Sequence, residues 1–212
     1  MPRPTKHQPE RGEARTRLLE AARDVIRAQG FAAASVDEIC KAAGVTKGAF
    51  FHQFASKEQL GVAAADFWAE TTSVFFASAH YHKLSDPLDR VLAYVDFRRS
   101  IMVGDMTNWT CLVGTMSQEV YISHPAIRDA CAVSILGHAA TLVADIQSAM
   151  DARGVTGLGS AASLARHMQA VLQGGFILAK ATGDAALAIE SVDHLRRYIE
   201  LLFQKEKKGK RT

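Results

Sequence analysis

SVDEICKAAGVTKGAFFHQFASKEQL, residues 35–60, reads as two short helices around a tight turn, followed by the start of a third. Ser35 with Glu38 three residues on is a capping box, which opens a helix by satisfying its first free N–H groups. Val36, Ile39, Cys40 and Ala43 give that helix an apolar side, and Gly44 ends it in a conformation that glycine tolerates best. Thr46 caps the next helix, in which Phe50 and Phe54 point one way while Lys47, Gly48, Ala49, His52 and Gln53 lie elsewhere. Ser56 to Gln59 is a second capping box. Helix, glycine turn, helix is the arrangement that sets a second helix into a DNA major groove. Gly48 and Ala49 keep the start of that helix small enough for close approach. Lys47 and His52 offer donors to base edges, and Gln53 can donate or accept.

The same run resembles the DNA-binding signature of the TetR family of transcriptional regulators. Ile39, Ala43-Gly44-Val45, Thr46, Lys47-Gly48, Phe50-Phe51-His52, Phe54 and Ser56-Lys57-Glu58 with Leu60 all stand at the family's spacings. One position departs. The family commonly has tyrosine where this chain has Phe51, and that hydroxyl reaches a phosphate, so the resemblance implies one backbone contact fewer here. The implied set of DNA contacts is Ser35, Thr46, Lys47, Gly48, Ala49, Phe51, His52 and Lys57. Lys47 and His52 are expected at base edges, and Ser35, Thr46 and Lys57 at phosphates.

Outward from this stretch the expected organisation is all-α: a three-helix helix-turn-helix domain and a larger helical ligand-binding and dimerisation domain, about nine helices. Residues 1–11 carry three prolines with Arg3, Lys6 and Arg11 and read as a mobile basic arm. The DNA-binding domain is expected over 12–56, the ligand-binding and dimerisation domain over 57–204, and a basic disordered tail over 205–212. Leu18, Ala21, Ala22, Val25 and Ile26 mark a first helix to Gln29, closed by Gly30. A long helix follows from Lys57 to about His80, and Asp86-Pro87 opens another that runs toward Gly104. From His124-Pro125 one helix is expected to reach about Arg153.

Charge follows the same division. Residues 1–60 carry ten Lys and Arg against seven Asp and Glu, residues 61–204 ten against fourteen, and the tail five against one. A basic head on an acidic body suits one end meeting nucleic acid. No uncharged apolar run is long enough to span a bilayer and the N-terminus is polar, so the expected setting is cytoplasmic with no membrane partner. Cys40, Cys111 and Cys131 are too few and too scattered for a disulfide framework or a zinc site. No nucleophile motif, metal spacing or phosphate loop is present, since Gly154, Gly157 and Gly159 follow no strand. The expectation is therefore no enzyme, no cofactor and no metal.

The last two helices, roughly 160–182 and 184–203, each carry an apolar seam of three- and four-residue steps. Leu164, Met168, Val171, Gly175, Leu178, Val192, Leu195, Ile199 and Leu202 are the expected dimer interface, because in the family these helices pair with their copies as a four-helix bundle. Residues 105–123 are irregular and rich in Met, Trp, Cys and Tyr. Phe97, Met106, Trp109, Cys111, Met116 and Tyr121, with Met168 and Phe176 facing them, are the candidate lining of an effector pocket. Together these features predict a homodimeric repressor of a near-palindromic double-stranded DNA operator, released by a small molecule. Two alternatives stand beside it. One is a repressor that senses electrophiles or oxidants through Cys111, and the other a helical interaction module without DNA binding.

Overall fold

The computed structural model describes residues 11–157 and 159–204; the basic arm over 1–10, Leu158 and the tail over 205–212 lie outside it. Among the described residues the regular structure is helical throughout. By internal contact the chain divides into two compact units, one formed by residues 1–70 with 112–134, the other by 71–111 with 135–212.

The first unit holds α1 (Arg11–Gln29), α2 (Val36–Ala43), α3 (Lys47–Gln53), most of α4 (Lys57–Ala77), α7 (Leu112–Val120) and the first part of α8 (Pro125–Ala140). The capping box is formed at both ends: the Glu38 N–H donates to Ser35 Oγ at 3.1 Å and the Ser35 N–H to Glu38 Oε2 at 2.9 Å. Gly44 sits in the left-handed region at φ 64°, where the Val45 N–H returns to the Cys40 carbonyl. The Gln59 N–H donates to Ser56 Oγ, but the Gln59 amide oxygen takes the Ala55 N–H rather than that of Ser56. The second box therefore closes one residue early. Leu18, Ile26, Ile39, Phe50, Phe54 and Leu60 are fully buried and knit α1 to α4.

The second unit holds the end of α4, a 3-10 turn over His80–Lys83, α5 (Pro87–Ser100), α6 (Met106–Trp109), the end of α8, α9 (Val143–Arg153), α10 (Ala161–Thr182) and α11 (Ala186–Leu202). Asp86 caps α5 through the Leu88 N–H at 2.8 Å and accepts Arg153 at 2.6 Å, and the latter holds the Asp86 carboxyl below its ordinary range. The single helix expected from His124 to Arg153 is two helices. At the break the Thr141 N–H and hydroxyl both donate to the His138 carbonyl, at 3.2 and 2.7 Å, which tightens the backbone to three-residue bonding. Within Pro125–Arg153 one 18-residue window reaches a mean hydropathy of 1.4, apolar enough by length and composition alone to cross a bilayer, although the stretch as a whole carries Arg128, Asp129, Asp145, Asp151 and Arg153.

The seam predicted for dimerisation is used differently. Leu164, Met168, Val192, Leu195 and Ile199 are buried in the chain's own core. A Cβ on Gly175 would stand 3.4 Å from the Ala188 Cα, so this glycine lets α10 approach α11. Val171 and Leu202 pack half-buried against the same core. Two helices joined by the short turn at Gly183 lose little loop entropy on pairing, and they pair with each other first. Of the nine residues expected at the interface only Leu178 is exposed, with Ile177, Tyr198 and Leu201 exposed beside it on these two helices.

Candidate DNA-reading helix and body residues

Helix α3 is short and fixed at both ends. The Ala49 N–H donates to Thr46 Oγ at 3.1 Å, and the Phe54 N–H closes on the Phe50 carbonyl at 2.8 Å. Phe50 and Phe54 are buried with ring centres 5.8 Å apart, and Arg15 lies 4.6 Å from the Phe54 ring centre. Arg17 donates to the Gly44 carbonyl at 3.3 Å and so braces the turn from α1. The opposite face of α3 is left to solvent: Lys47, Gly48, Phe51 and His52 are exposed and Ala49 is half-buried.

Lys47 pairs with Asp37 at 2.9 Å, but both side chains are more than half exposed. A pair so open to water contributes about 1 kcal/mol or less, so Lys47 can leave it for a better acceptor. Phe51 is 52% exposed, with only the edge of Phe50 against it at 5.1 Å. An exposed phenyl ring beside Lys47 and His52 has no role in the core.

Two expected phosphate contacts are engaged inside the protein. The Ser35 hydroxyl donates to Glu38 Oε2 at 2.7 Å while accepting the Glu38 N–H. The Lys57 ammonium donates to the Ala32 carbonyl at 3.1 Å and stands 4.6 Å from the Phe31 ring centre. Burial lowers its pKa, against the pull of Glu119 and Glu38. Glu119 on α7 holds the same loop from its other polar side. Its Oε2 accepts the N–H groups of Phe31 and Ala32 at 2.6 and 3.1 Å. Gly30 lies beneath it at φ 90°, a conformation that favours glycine, and a Cβ there would also press on Glu119 Oε1. Lys57 and Glu119 thus fix the connection that presents α2. A carboxylate 88 residues away in the sequence gives no local signal of that pairing.

The eight candidate pocket residues do not fall in one unit. Met116 is in the core of the first unit and Tyr121 on its surface, 53% exposed. Phe97, Met106, Trp109, Cys111, Met168 and Phe176 belong to the second unit, where Trp109 and Phe176 pack with ring centres 5.8 Å apart. Met168 is fully buried there; Phe97, Met106 and Cys111 are half-buried.

That unit also buries polar groups the sequence did not single out. The Tyr94 hydroxyl accepts from Gln169 Nε2 at 3.0 Å and lies 2.9 Å from His138 Nε2. With the hydroxyl accepting from both Gln169 and Arg98, its own proton goes to His138 Nε2, which fits a neutral imidazole with its proton on Nδ1. Burial, with Arg98 nearby, pushes His138 down to about 4. Burial likewise pushes the Tyr94 phenol up.

Comparison with known proteins agrees with this architecture. Residues 18–64 match the family model of bacterial regulatory proteins, tetR family, and residues 87–195 that of the tetracyclin repressor-like C-terminal domain. The chain is 29% identical to the transcriptional regulator AcuR of Cereibacter sphaeroides over 53% of its own length and 51% of AcuR. It is 28% identical to the HTH-type transcriptional repressor NemR of Escherichia coli over 69% of this chain and 65% of NemR. The matches thus span about half of the one relative and just under two thirds of the other. The crystal structure of a TetR-family transcriptional regulator from Agrobacterium tumefaciens superposes with a TM-score of 0.77 at 20% identity, over 89% of this chain and 98% of that one, a likeness of fold. The C-terminal match alone takes in just over half of the 212 residues, and with the N-terminal match beside it the chain belongs to the TetR family.

Proposed function

We propose that the protein is a homodimeric, ligand-responsive DNA-binding regulator, a repressor that works by binding and not by turnover. TetR-family regulators bind DNA and typically act as dimers with small-molecule effectors. The observation that carries the reading to this chain is α3 itself. Its aromatic side is buried, its cap is made, and its exposed face carries Lys47, Gly48, Phe51 and His52. A dimer sets two such helices about 34–36 Å apart, one turn of B-DNA, and so reads a near-palindromic operator. Lys47 and His52 are assigned to base edges and Thr46 to a phosphate, while Lys57 is reassigned from phosphate to loop anchor. An effector held in the second unit would favour a dimer whose heads no longer match that spacing. Effector and operator must then weaken each other's binding equally.

The test is a mobility-shift titration on DNA flanking the protein's own coding region, with Gly48→Ala beside the wild type. Nothing in the protein opposes that methyl group, whose nearest neighbour is Thr46 Oγ at 3.8 Å. Alanine favours the helix by about 0.5–1 kcal/mol, so the variant should melt no lower than the wild type. Its operator affinity should nonetheless fall, on the order of tenfold, because the methyl group keeps the backbone off the duplex. An unchanged affinity would take the start of α3 out of the groove.

Thiol sensing is the second reading, and one observation favours it: Cys40 and Cys131 are buried, whereas Cys111 is half-exposed just before α7. A reactive thiol needs such access. We expect a reversible effector instead, so operator release by a thiol-reactive electrophile should be the same in wild type and Cys111→Ser. Release of the wild type alone would make Cys111 the sensor.

A further inference from the structure

Arg98 lies on the face of α5 that carries Val91, Tyr94 and Val95, and is 9% exposed. Its guanidinium carbon stands 5.2 Å from the ring centre of Phe76 and 5.7 Å from that of Phe176. Its Nε has no hydrogen-bond partner, although the guanidinium also bonds the Tyr94 hydroxyl. Among the described residues no carboxylate pairs with it; the ion pairs of this unit go to Arg90, Arg99, Arg153 and Arg196. Its charge acts on Tyr81, Tyr94 and His138, all neutral at pH 7. A buried cation without a counter-ion is unfavourable, and two aromatic rings offset only part of that. A second unpartnered donor belongs to a residue that meets the same Phe176 ring. Trp109 is 6% exposed, its Nε1 is unpartnered, and its ring packs on Phe176, which Arg98 also meets.

An unpartnered indole N–H and a buried guanidinium whose Nε is unpartnered, with one neutral hydroxyl and no carboxylate to meet it, are donors suited to an anion. We propose that Arg98 and Trp109 bind the carboxylate of a small monocarboxylic acid whose apolar body packs on Phe76 and Phe176. A planar carboxylate matches the guanidinium fork, and Trp109 Nε1 gives one further hydrogen bond. One uncompensated positive charge selects a monoanion. A phosphate dianion would need a second cation, which a neutral His138 does not provide. This assignment rests on the reading that the second unit holds the effector, and it names that effector's chemical class.

The experiment uses full-length protein without DNA, so that it does not depend on operator binding. Thermal unfolding and calorimetric titration are run with acetate, propionate, butyrate, benzoate and phenylacetate, each against its primary amide. At least one acid should raise the melting temperature by several degrees where its amide does not. Arg98→Met should lose that response, with affinity down by a hundredfold or more. The ligand-free variant supplies an independent measurement. Because methionine removes an unpaired buried charge, Arg98→Met should melt at or above the wild type, whereas a structural arginine would leave it destabilised. Amides as effective as acids, no response to any acid, an Arg98→Met variant that still responds, or one that melts well below wild type would each overturn the proposal. Operator release by the same acid is then measured separately. An acid that binds through Arg98 without weakening DNA binding would leave the carboxylate site in place and overturn its regulatory role alone.

Discussion

Leu178→Glu combined with Leu201→Glu is expected to give a folded monomer whose operator affinity falls on the order of ten-thousandfold, while Leu195→Glu alone is expected to unfold the chain. The three leucines look alike in a helical projection of the sequence, and the structure separates them. Leu178 and Leu201 are 50% and 64% exposed, whereas Leu195 is 2% exposed in the core. Ile177 and Tyr198 add to the exposed apolar surface, and His167 lies edge-on to Tyr198 with ring centres 5.3 Å apart. Water is a poor neighbour for these side chains, and a second copy of α10 and α11 would cover them. Two carboxylates on that surface remain hydrated in a monomer and would lose their water in a dimer, so the monomer is favoured. One head then reads one half-site. If a nanomolar dimer owes about half of its roughly 12 kcal/mol to each half-site, losing one costs about 6 kcal/mol, on the order of ten-thousandfold. A carboxylate at Leu195 has no water and no partner, and its burial costs on the order of 5 kcal/mol, comparable to the whole stability of a domain. Sedimentation with circular dichroism decides between these outcomes. A double variant that stays dimeric would move the interface off this surface, and a folded Leu195→Glu monomer would return it to the seam first read from the sequence.

The head was legible because its signals are local. Ser35 and Glu38 are three apart, Gly44 stands where a helix must end, and Thr46 caps the next turn; each determines its own backbone without reference to distant residues. The body was legible as helices but not as partners. A heptad seam says that a helix face is covered without saying by what, and here neighbouring helices of the same chain supplied the cover. Arg98 could have been found. It falls four residues after Tyr94 and three after Val95, on the buried stripe of α5, and an arginine in register with such a stripe is itself a signal. Phe97 and Ile101 dominate the same stretch and mask it. Glu119 could not have been found this way, since its partners Phe31 and Ala32 offer only backbone N–H groups. The break at Thr141-Leu142 was hidden for a related reason: neither residue forbids a helix, and the shortening is made by the threonine hydroxyl on His138.

His138 should make the second unit sensitive to mild acid. Its ring packs 4.5 Å from that of Phe76, its Nε2 faces the Tyr94 hydroxyl, and the Arg98 charge is near. Burial is the main cause and the arginine the second, and together they hold it at about 4 against an ordinary 6.5. The sign follows from proton binding. Between those two values the unfolded chain takes up a proton that the folded chain refuses, so stability is complete above pH 6.5 and is lost as the pH falls toward 4. The slope is about 1.4 kcal/mol per pH unit, and the loss by pH 4 is on the order of 3 kcal/mol. His138→Gln keeps an acceptor for Tyr94 but has nothing to titrate. Urea unfolding of both proteins from pH 7 to pH 4 should therefore give curves that converge as the pH falls, with the variant less stable at pH 7 but nearly flat across the window. The carboxyls of Glu38, Asp86 and Asp129 are all lowered from their ordinary values, so they act at the acid end and act alike in both proteins. Arg98→Met carries the argument one step further. Removing the guanidinium takes away one of the two causes that depress His138, so the acid loss should shrink in that variant too, without vanishing, because the burial remains. Parallel curves for wild type and His138→Gln would mean that His138 takes up its proton in the folded protein as readily as in the unfolded chain, and that the Tyr94 bond does not depend on a neutral ring.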